Sequence, residues 1–307
     1  MIKRRHFLKM GAGLGLSLAL GAKHVFAQSD AGQQRLIPKS GERIPAIGMG
    51  SWLTFAVGDD VQARAIRVKV LQAFFAGGGR LIDSSPMYGT SEAVIGYCLK
   101  TLGAQDQVFA ATKVWTRGWQ PGIRQMQRSR SRWGVERFDL MQIHNLLDWQ
   151  TQLETLKSWK QEGKIRYIGV TTSHGRRHSD LAELMATQDA IDFVQFTYNI
   201  VDRAAEQRLL PLAAERKLAV IINRPFQGGG LFTPVAGKPL PAWAGEIDCH
   251  NWAQFFLKFI ISHPAVTCAI PATSRVDHMR ENMGALRGSL PDKALRKKMQ
   301  KYFQNVV

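Results

Sequence analysis

Between positions 47 and 286 the chain repeats one unit eight times. Each repeat is a short, nearly continuous apolar run followed by a turn and a stretch whose apolar residues recur at helical spacing. The apolar runs fall at 47–49, 81–82, 108–112, 138–143, 165–170, 191–196, 218–222 and 265–270. The helical stretches fall at 60–76, 91–101, 122–133, 150–162, 179–186, 204–216, 252–262 and 276–286, with a further one at 291–302. Strands without alternation are buried on both faces, which a parallel sheet covered by helices provides. Eight such units predict an α/β fold, a closed (β/α)8 TIM barrel, with a short N-terminal β-hairpin over 35–46 and an extra C-terminal helix. A doubly wound open sheet is the alternative, but no Gly-x-Gly-x-x-Gly follows an early strand. The 280 residues from Gln28 to Val307 suit a single barrel domain, and no Pro/Ser/Gly-rich linker divides them.

In such a barrel the C-terminal ends of the strands carry the chemistry. The second run ends in Asp83, followed within its loop by Tyr88; the third ends in Lys113 and the fourth in His144. A lysine closing a buried run is costly unless a carboxylate or ligand compensates its charge, and Asp83 supplies one. Each side chain alone suits packing or a surface; three successive strand ends delivering Asp, Lys and His beside a tyrosine do not.

At these residues the chain resembles the aldo-keto reductase superfamily, whose Asp, Tyr, Lys and His tetrad lies on consecutive strands of a (β/α)8 barrel. The likeness runs from Ile44-Pro45-Ala46-Ile47-Gly48-Met49-Gly50 to Glu281-Asn282. It implies reduction of an aldehyde or ketone with NADP(H), NAD(H) being the alternative. Tyr88 is then the general acid. Lys113, paired with Asp83, lowers the phenol from its ordinary value of about 10, and His144 orients the carbonyl. The resemblance also assigns cofactor contacts: Thr171, Thr172 and Gln195 to the nicotinamide carboxamide, Asn223, Arg224, Phe226, Gly228 and Gly229 to the pyrophosphate loop, Thr273, Ser274 and Arg275 to a phosphate, and Glu281 and Asn282 to the adenine. The chain departs from the family pattern at several of these positions. Thr171-Thr172 stands where Ser-Asn is common, and Asn223 where an aromatic ring often stacks. Ala272 and His278 stand where NADP-binding relatives often carry Lys and Arg. Trp52 and Trp115 are the candidate substrate contacts; Trp243, in the 231–249 loop, either joins them or is packed within it. A barrel serving as a nucleotide-binding sensor or partner subunit is the competing function. A hydrolase is weaker, because no second carboxylate ends a nearby strand.

The N-terminus reads separately. Arg4-Arg5-His6-Phe7-Leu8-Lys9 precedes a mild apolar run over 11–22 that ends at Val25-Phe26-Ala27, a pattern resembling a twin-arginine export signal. About 12 apolar residues fall short of the roughly 20 that span a bilayer, so no lasting anchor is expected. Cleavage after Ala27 predicts a periplasmic mature protein, which we expect to be monomeric. It removes five basic residues and no acidic ones, so the formal net charge of +17 becomes +12. No aromatic-interleaved basic stripe suggests nucleic acid, and no metal-ligand pattern appears. Cys98 and Cys268 lie in apolar runs. Cys249, in a Gly/Pro loop, is the expected reactive thiol.

Overall fold

The computed structural model describes residues 32–306; the expected export signal falls outside the described residues. The expected barrel is present. Two short strands, β1 (Gln34–Leu36) and β2 (Arg43–Pro45), form an antiparallel hairpin. Eight parallel strands follow: β3 (Met49–Gly50), β4 (Leu81–Asp83), β5 (Phe109–Val114), β6 (Phe138–Ile143), β7 (Ile165–Thr171), β8 (Phe193–Thr197), β9 (Ala219–Asn223) and β10 (Cys268–Ala269). They pair in sequence order. Parallel bridges from Ile47 to Ala269 and from Gly50 to Ala272 join the first strand to the last and close the barrel.

The helices are α1 (Val61–Ala76), α2 (Ser91–Leu102), α3 (Trp119–Trp133), α4 (Trp149–Gln161), α5 (His178–Thr187), α6 (Leu209–Glu215), α7 (Trp252–Ile261), α8 (Val276–Gly284) and the extra α9 (Lys293–Val306). Local chemistry sets several ends: Asp60 caps α1 by accepting from the Ala63 amide at 2.8 Å, and Asn251 caps α7 by accepting from Gln254 at 2.9 Å. Two helices differ from the sequence reading. Helix α3 starts at Trp119 rather than at 122, because Pro121 falls in the first turn, where its missing N–H leaves no bond unmade. The single helix expected over 204–216 is split: Pro211 has no N–H to donate to the Gln207 carbonyl four residues back, and α6 begins afresh at Leu209 with Pro211 in its first turn. The 231–249 loop holds two short 3-10 turns, Thr233–Val235 and Ala242–Ile247.

Strand alternation divides the apolar residues into two cores. Outward-facing side chains such as Ile82, Ala110, Met141, Val194 and Ile222 pack under the helices. Inward-facing ones, Leu81, Phe109, Ala111, Leu140, Tyr167, Phe193, Ile221 and Cys268, fill the barrel, with Ile37 and Ile44 of the hairpin at its closed end. Continuing the inward parity by two residues toward the other end reaches Asp83, Lys113, Gln142, Gln195 and Asn223, and by four residues from Tyr167 it reaches Thr171. The top layer of the barrel interior is therefore polar on a hydrophobic plug.

Candidate active site

That polar layer opens into a cavity of about 1010 Å³ at the C-terminal mouth of the barrel. Lys113 is fully buried and donates to Asp83 Oδ2 at 2.5 Å and to the Ser84 carbonyl at 2.8 Å. The other carboxylate oxygen, Asp83 Oδ1, accepts from Gln142 Nε2 at 2.8 Å and Gln195 Nε2 at 3.0 Å. A fully desolvated pair in which both partners are otherwise hydrogen-bonded retains its charges. Burial alone would lower the Lys113 pKa, but Asp83 and the Tyr88 phenol outweigh it and hold it above its ordinary value.

Tyr88 stands over this pair, with Lys113 Nζ 5.1 Å from its ring centroid. The expectation that Lys113 brings the phenol below its ordinary pKa is not met. Burial raises it and Asp83 adds to the rise, while Lys113 offsets only part of both. The phenol is therefore a proton donor at neutral pH, and the charge of Lys113 limits how weak an acid burial makes it. His144 packs edge-on to Tyr88, ring centroids 5.9 Å apart, with the Trp115 ring 6.4 Å away on another side. Burial, and then the charge of Lys113, push its pKa down to about 2, so the imidazole is neutral and donates hydrogen bonds without supplying protons.

Gln142 was passed over in the sequence, although a glutamine two residues before His144 on the inward parity of an apolar strand was the available signal. Its position requires a glycine on the next strand. A Cβ at Gly169 would lie 2.8 Å from Gln142 Cγ and 3.1 Å from Leu140 Cδ1. Gly169→Ala should destabilise the barrel by about 1–3 kcal/mol through overpacking and, by pushing Gln142 off Asp83, should lower turnover as well. Thermal unfolding and steady-state rates together check this. Wild-type turnover in a destabilised variant would show that Gln142 does not act through Asp83.

The residues assigned to a nucleotide are spread along the same cavity. Thr171, Thr172, Gln195, Asn223, Arg224, Phe226, Gly228, Gly229, Thr273, Glu281 and Asn282 line it. Thr172 Oγ1 is buried there without a hydrogen-bond partner, and Gln195 Oε1 has only a 3.5 Å contact with Asn223. Both Gln195 N–H groups are spent on Asp83 and Gln142. One hydroxyl and one amide oxygen thus await a ligand that donates and accepts at adjacent atoms, as a carboxamide does. Gly228 and Gly229 take φ of 70° and 100°, backbone that a side chain would strain. Asn223 is tied into the strand ends, donating to the Thr172 carbonyl at 2.8 Å and accepting from Thr197 at 2.7 Å.

Other positions lie elsewhere. Ser274 and Arg275 do not line the cavity, whereas Ala272 and His278 do. The Arg275 guanidinium is paired with Asp277 instead, 62% exposed. Trp52 lines the rim at 43% exposure beside Leu53, which sits at φ 61° and is 76% exposed, a leucine that the sequence did not single out. Trp115 is 41% exposed, and Gln125 of α3 fixes its backbone at both polar atoms. Trp243 packs on Phe255 and Tyr302, while Phe226 and Phe232 pair at 4.9 Å and line the cavity on that side. His174, Arg176 and Arg177, also unanticipated, edge the mouth; a basic cluster directly after a strand end was their signal. Cys249 is a correction: it is buried, and burial pushes its thiol up to about 11, so it is not a reactive thiolate. No cluster of potential metal ligands occurs among the described residues.

A parallel barrel with an acid, its ammonium partner, a phenol and a neutral imidazole at the mouth of a long cavity defines the class as a barrel enzyme of the proton-transfer type. The chain belongs to the aldo/keto reductase family, whose model it matches over residues 46–301. It is 30% identical over 272 residues to methylglyoxal reductase YeaE of Escherichia coli, covering 84% of this chain and 91% of that one. It is 29% identical over 312 residues to an NADH-specific methylglyoxal reductase of the same organism, covering 80% and 91%. The fold is that of an aldo/keto reductase from Klebsiella pneumoniae solved with NADP and acetate, at 23% identity, a TM-score of 0.74 and coverage of 87% and 94%.

Proposed function

We propose that the protein is an NAD(P)H-dependent oxidoreductase that reduces an aldehyde or ketone to an alcohol. The observation that carries this is the buried Lys113–Asp83 pair set against the Tyr88 phenol, with neutral His144 beside it at the cavity wall. A reduced nicotinamide, when bound, supplies hydride. Tyr88 gives its phenol proton to the carbonyl oxygen as charge develops there. Lys113 stabilises the resulting phenolate, Asp83 holds Lys113 in position, and His144 polarises the carbonyl by hydrogen bonding. Thr172 and Gln195 would hold the carboxamide, and the Gly228–Gly229 turn would let backbone approach the pyrophosphate. The same residues run the reverse oxidation. A sensor that binds nucleotide without turnover has no need of a desolvated lysine beside a phenol.

The nucleotide is NADPH, with NADH as the alternative. Arg275 holds a 2′-phosphate only if it leaves Asp277, so the preference is smaller than a dedicated phosphate site confers. A panel of aldehydes and ketones that includes methylglyoxal, followed by nucleotide oxidation with NADPH and with NADH, tests the function. Oxidation with at least one carbonyl is expected. Tight nucleotide binding with no turnover across the panel would support the sensor instead.

We also propose that residues 1–27 are a twin-arginine signal and that one barrel, from Gln28 to Val307, acts as a periplasmic monomer exported with its nucleotide bound. Export of folded protein permits this, and a ligand present at a thousandfold excess over its dissociation constant stabilises the folded state by about 4.1 kcal/mol. Purifying the exported form without added nucleotide, and assaying nucleotide after denaturation, is the check. Empty protein, or dependence on the unfolded-chain route, would count against it.

A further inference from the structure

Of the polar groups around the site, Ser85 has no part in the roles above. It is fully buried in the loop between Asp83 and Tyr88. Its Oγ lies 3.0 Å from His144 Nδ1, and the Met87 amide donates to the same oxygen at 3.3 Å. Among the described residues the Ser85 hydroxyl hydrogen has no acceptor other than Nδ1. Were Nδ1 protonated, that hydrogen would have no acceptor among the described residues, whereas Ser85 donating to an unprotonated Nδ1 satisfies both the hydroxyl and that nitrogen. The imidazole hydrogen then sits on Nε2, which has no protein partner among the described residues. His144 lines the cavity.

We infer that Ser85 is a positioning residue that fixes the tautomer of His144, so that Nε2–H rather than a lone pair faces the carbonyl oxygen of the substrate. The geometry isolates this role from packing. Tyr88 and Trp115 flank the imidazole on two sides and hold the ring where it is whether or not Ser85 is present. The hydroxyl therefore decides which nitrogen bears the hydrogen, and the aromatic neighbours decide where the ring lies. His144 remains neutral in either tautomer throughout the working pH range, so only the position of one hydrogen is at stake.

The catalytic consequence rests on the carbonyl-reduction reading above; the tautomer itself does not. Long-range proton–nitrogen NMR of protein labelled with nitrogen-15 in histidine, assigned against His144→Gln, reads the tautomer directly without any substrate. The wild type should show a protonated Nε2 and a bare Nδ1. Ser85→Ala should shift both nitrogens toward the averaged values of a tautomer mixture and lower kcat for aldehyde reduction about tenfold, one neutral hydrogen bond's worth, with nucleotide affinity unchanged. Ser85→Thr, which keeps a hydroxyl on the same carbon, should restore both signals. A protonated Nδ1 in the wild type, or an unchanged pair of nitrogen signals in Ser85→Ala, would overturn the inference. A wild type that shows the expected nitrogens yet reduces no carbonyl would leave the tautomer assignment standing and remove the function.

Discussion

Tyr88→Phe should bind nucleotide as the wild type does and lose carbonyl reduction by a factor on the order of 10²–10⁴, the range a positioned general acid contributes. The ring remains, so its edge contact with His144 and its place above Lys113 are kept, and only the hydroxyl is lost. No neighbour substitutes as the acid. His144, pushed down to about 2, has no proton to give near neutrality. Lys113, held above its ordinary pKa and already bound to Asp83 and the Ser84 carbonyl, is a poor donor to a carbonyl. The pH dependence follows from the same groups. Because the phenol is held above 10 and the imidazole is down near 2, neither changes charge around neutral pH. The kcat for reduction should be level through that range and fall only on the alkaline side as Tyr88 ionises. Nucleotide titration and single-turnover rates measure the two halves separately. Undiminished turnover in Tyr88→Phe would remove Tyr88 from the mechanism.

Lys113→Met should be the more damaging change to the molecule, because it leaves Asp83 as a buried carboxylate whose remaining listeners are two amides, Gln142 and Gln195. Breaking one half of a buried pair costs about 3–5 kcal/mol, and for a chain of this size that lowers the unfolding temperature by about 5–9 °C. Turnover should fall as well, since the phenolate formed in the reaction would face Asp83 with no cation between them. The double variant Asp83→Asn/Lys113→Met should recover much of the stability without recovering activity, because it removes the stranded charge while leaving the acid unsupported. The pH dependence of stability carries a matching sign. Lys113 is raised above its unfolded value of about 10.4, so its contribution is complete below that pH and is lost as pH rises through the higher folded value. His144 is depressed, so its contribution is complete above about 6.5 and is lost as pH falls toward about 2. Unfolding temperatures measured across pH should therefore fall at both ends, and Lys113→Met should lose the share of the alkaline fall that Lys113 carries while the raised phenol of Tyr88 keeps its own. A variant as stable as the wild type would show that the pair does not hold this end of the barrel.

What the sequence by itself determined follows from periodicity. Apolar runs of strand length alternating with helical stretches require a covered parallel sheet. In such a sheet successive strands point the same way, so Asp83, Lys113 and His144 at consecutive strand ends must share one rim. Tyr88, five residues beyond Asp83, lies on the loop over that rim for the same local reason. Parity within each strand also separates the side chains that fill the barrel from those under the helices, and Gln142 and Gln195 could have been read from it. The tertiary structure decided the partners. Ser85 meets His144 across 59 positions and Gln195 meets Asp83 across 112, and both contacts exist only because the barrel closes. Burial likewise depends on what packs above a residue, which no local pattern records. It turned the expected fall in the Tyr88 pKa into a rise and silenced the Cys249 thiol. Arg275, at the start of α8, is paired with Asp277 in solvent and does not line the cavity, a placement that the sequence left open.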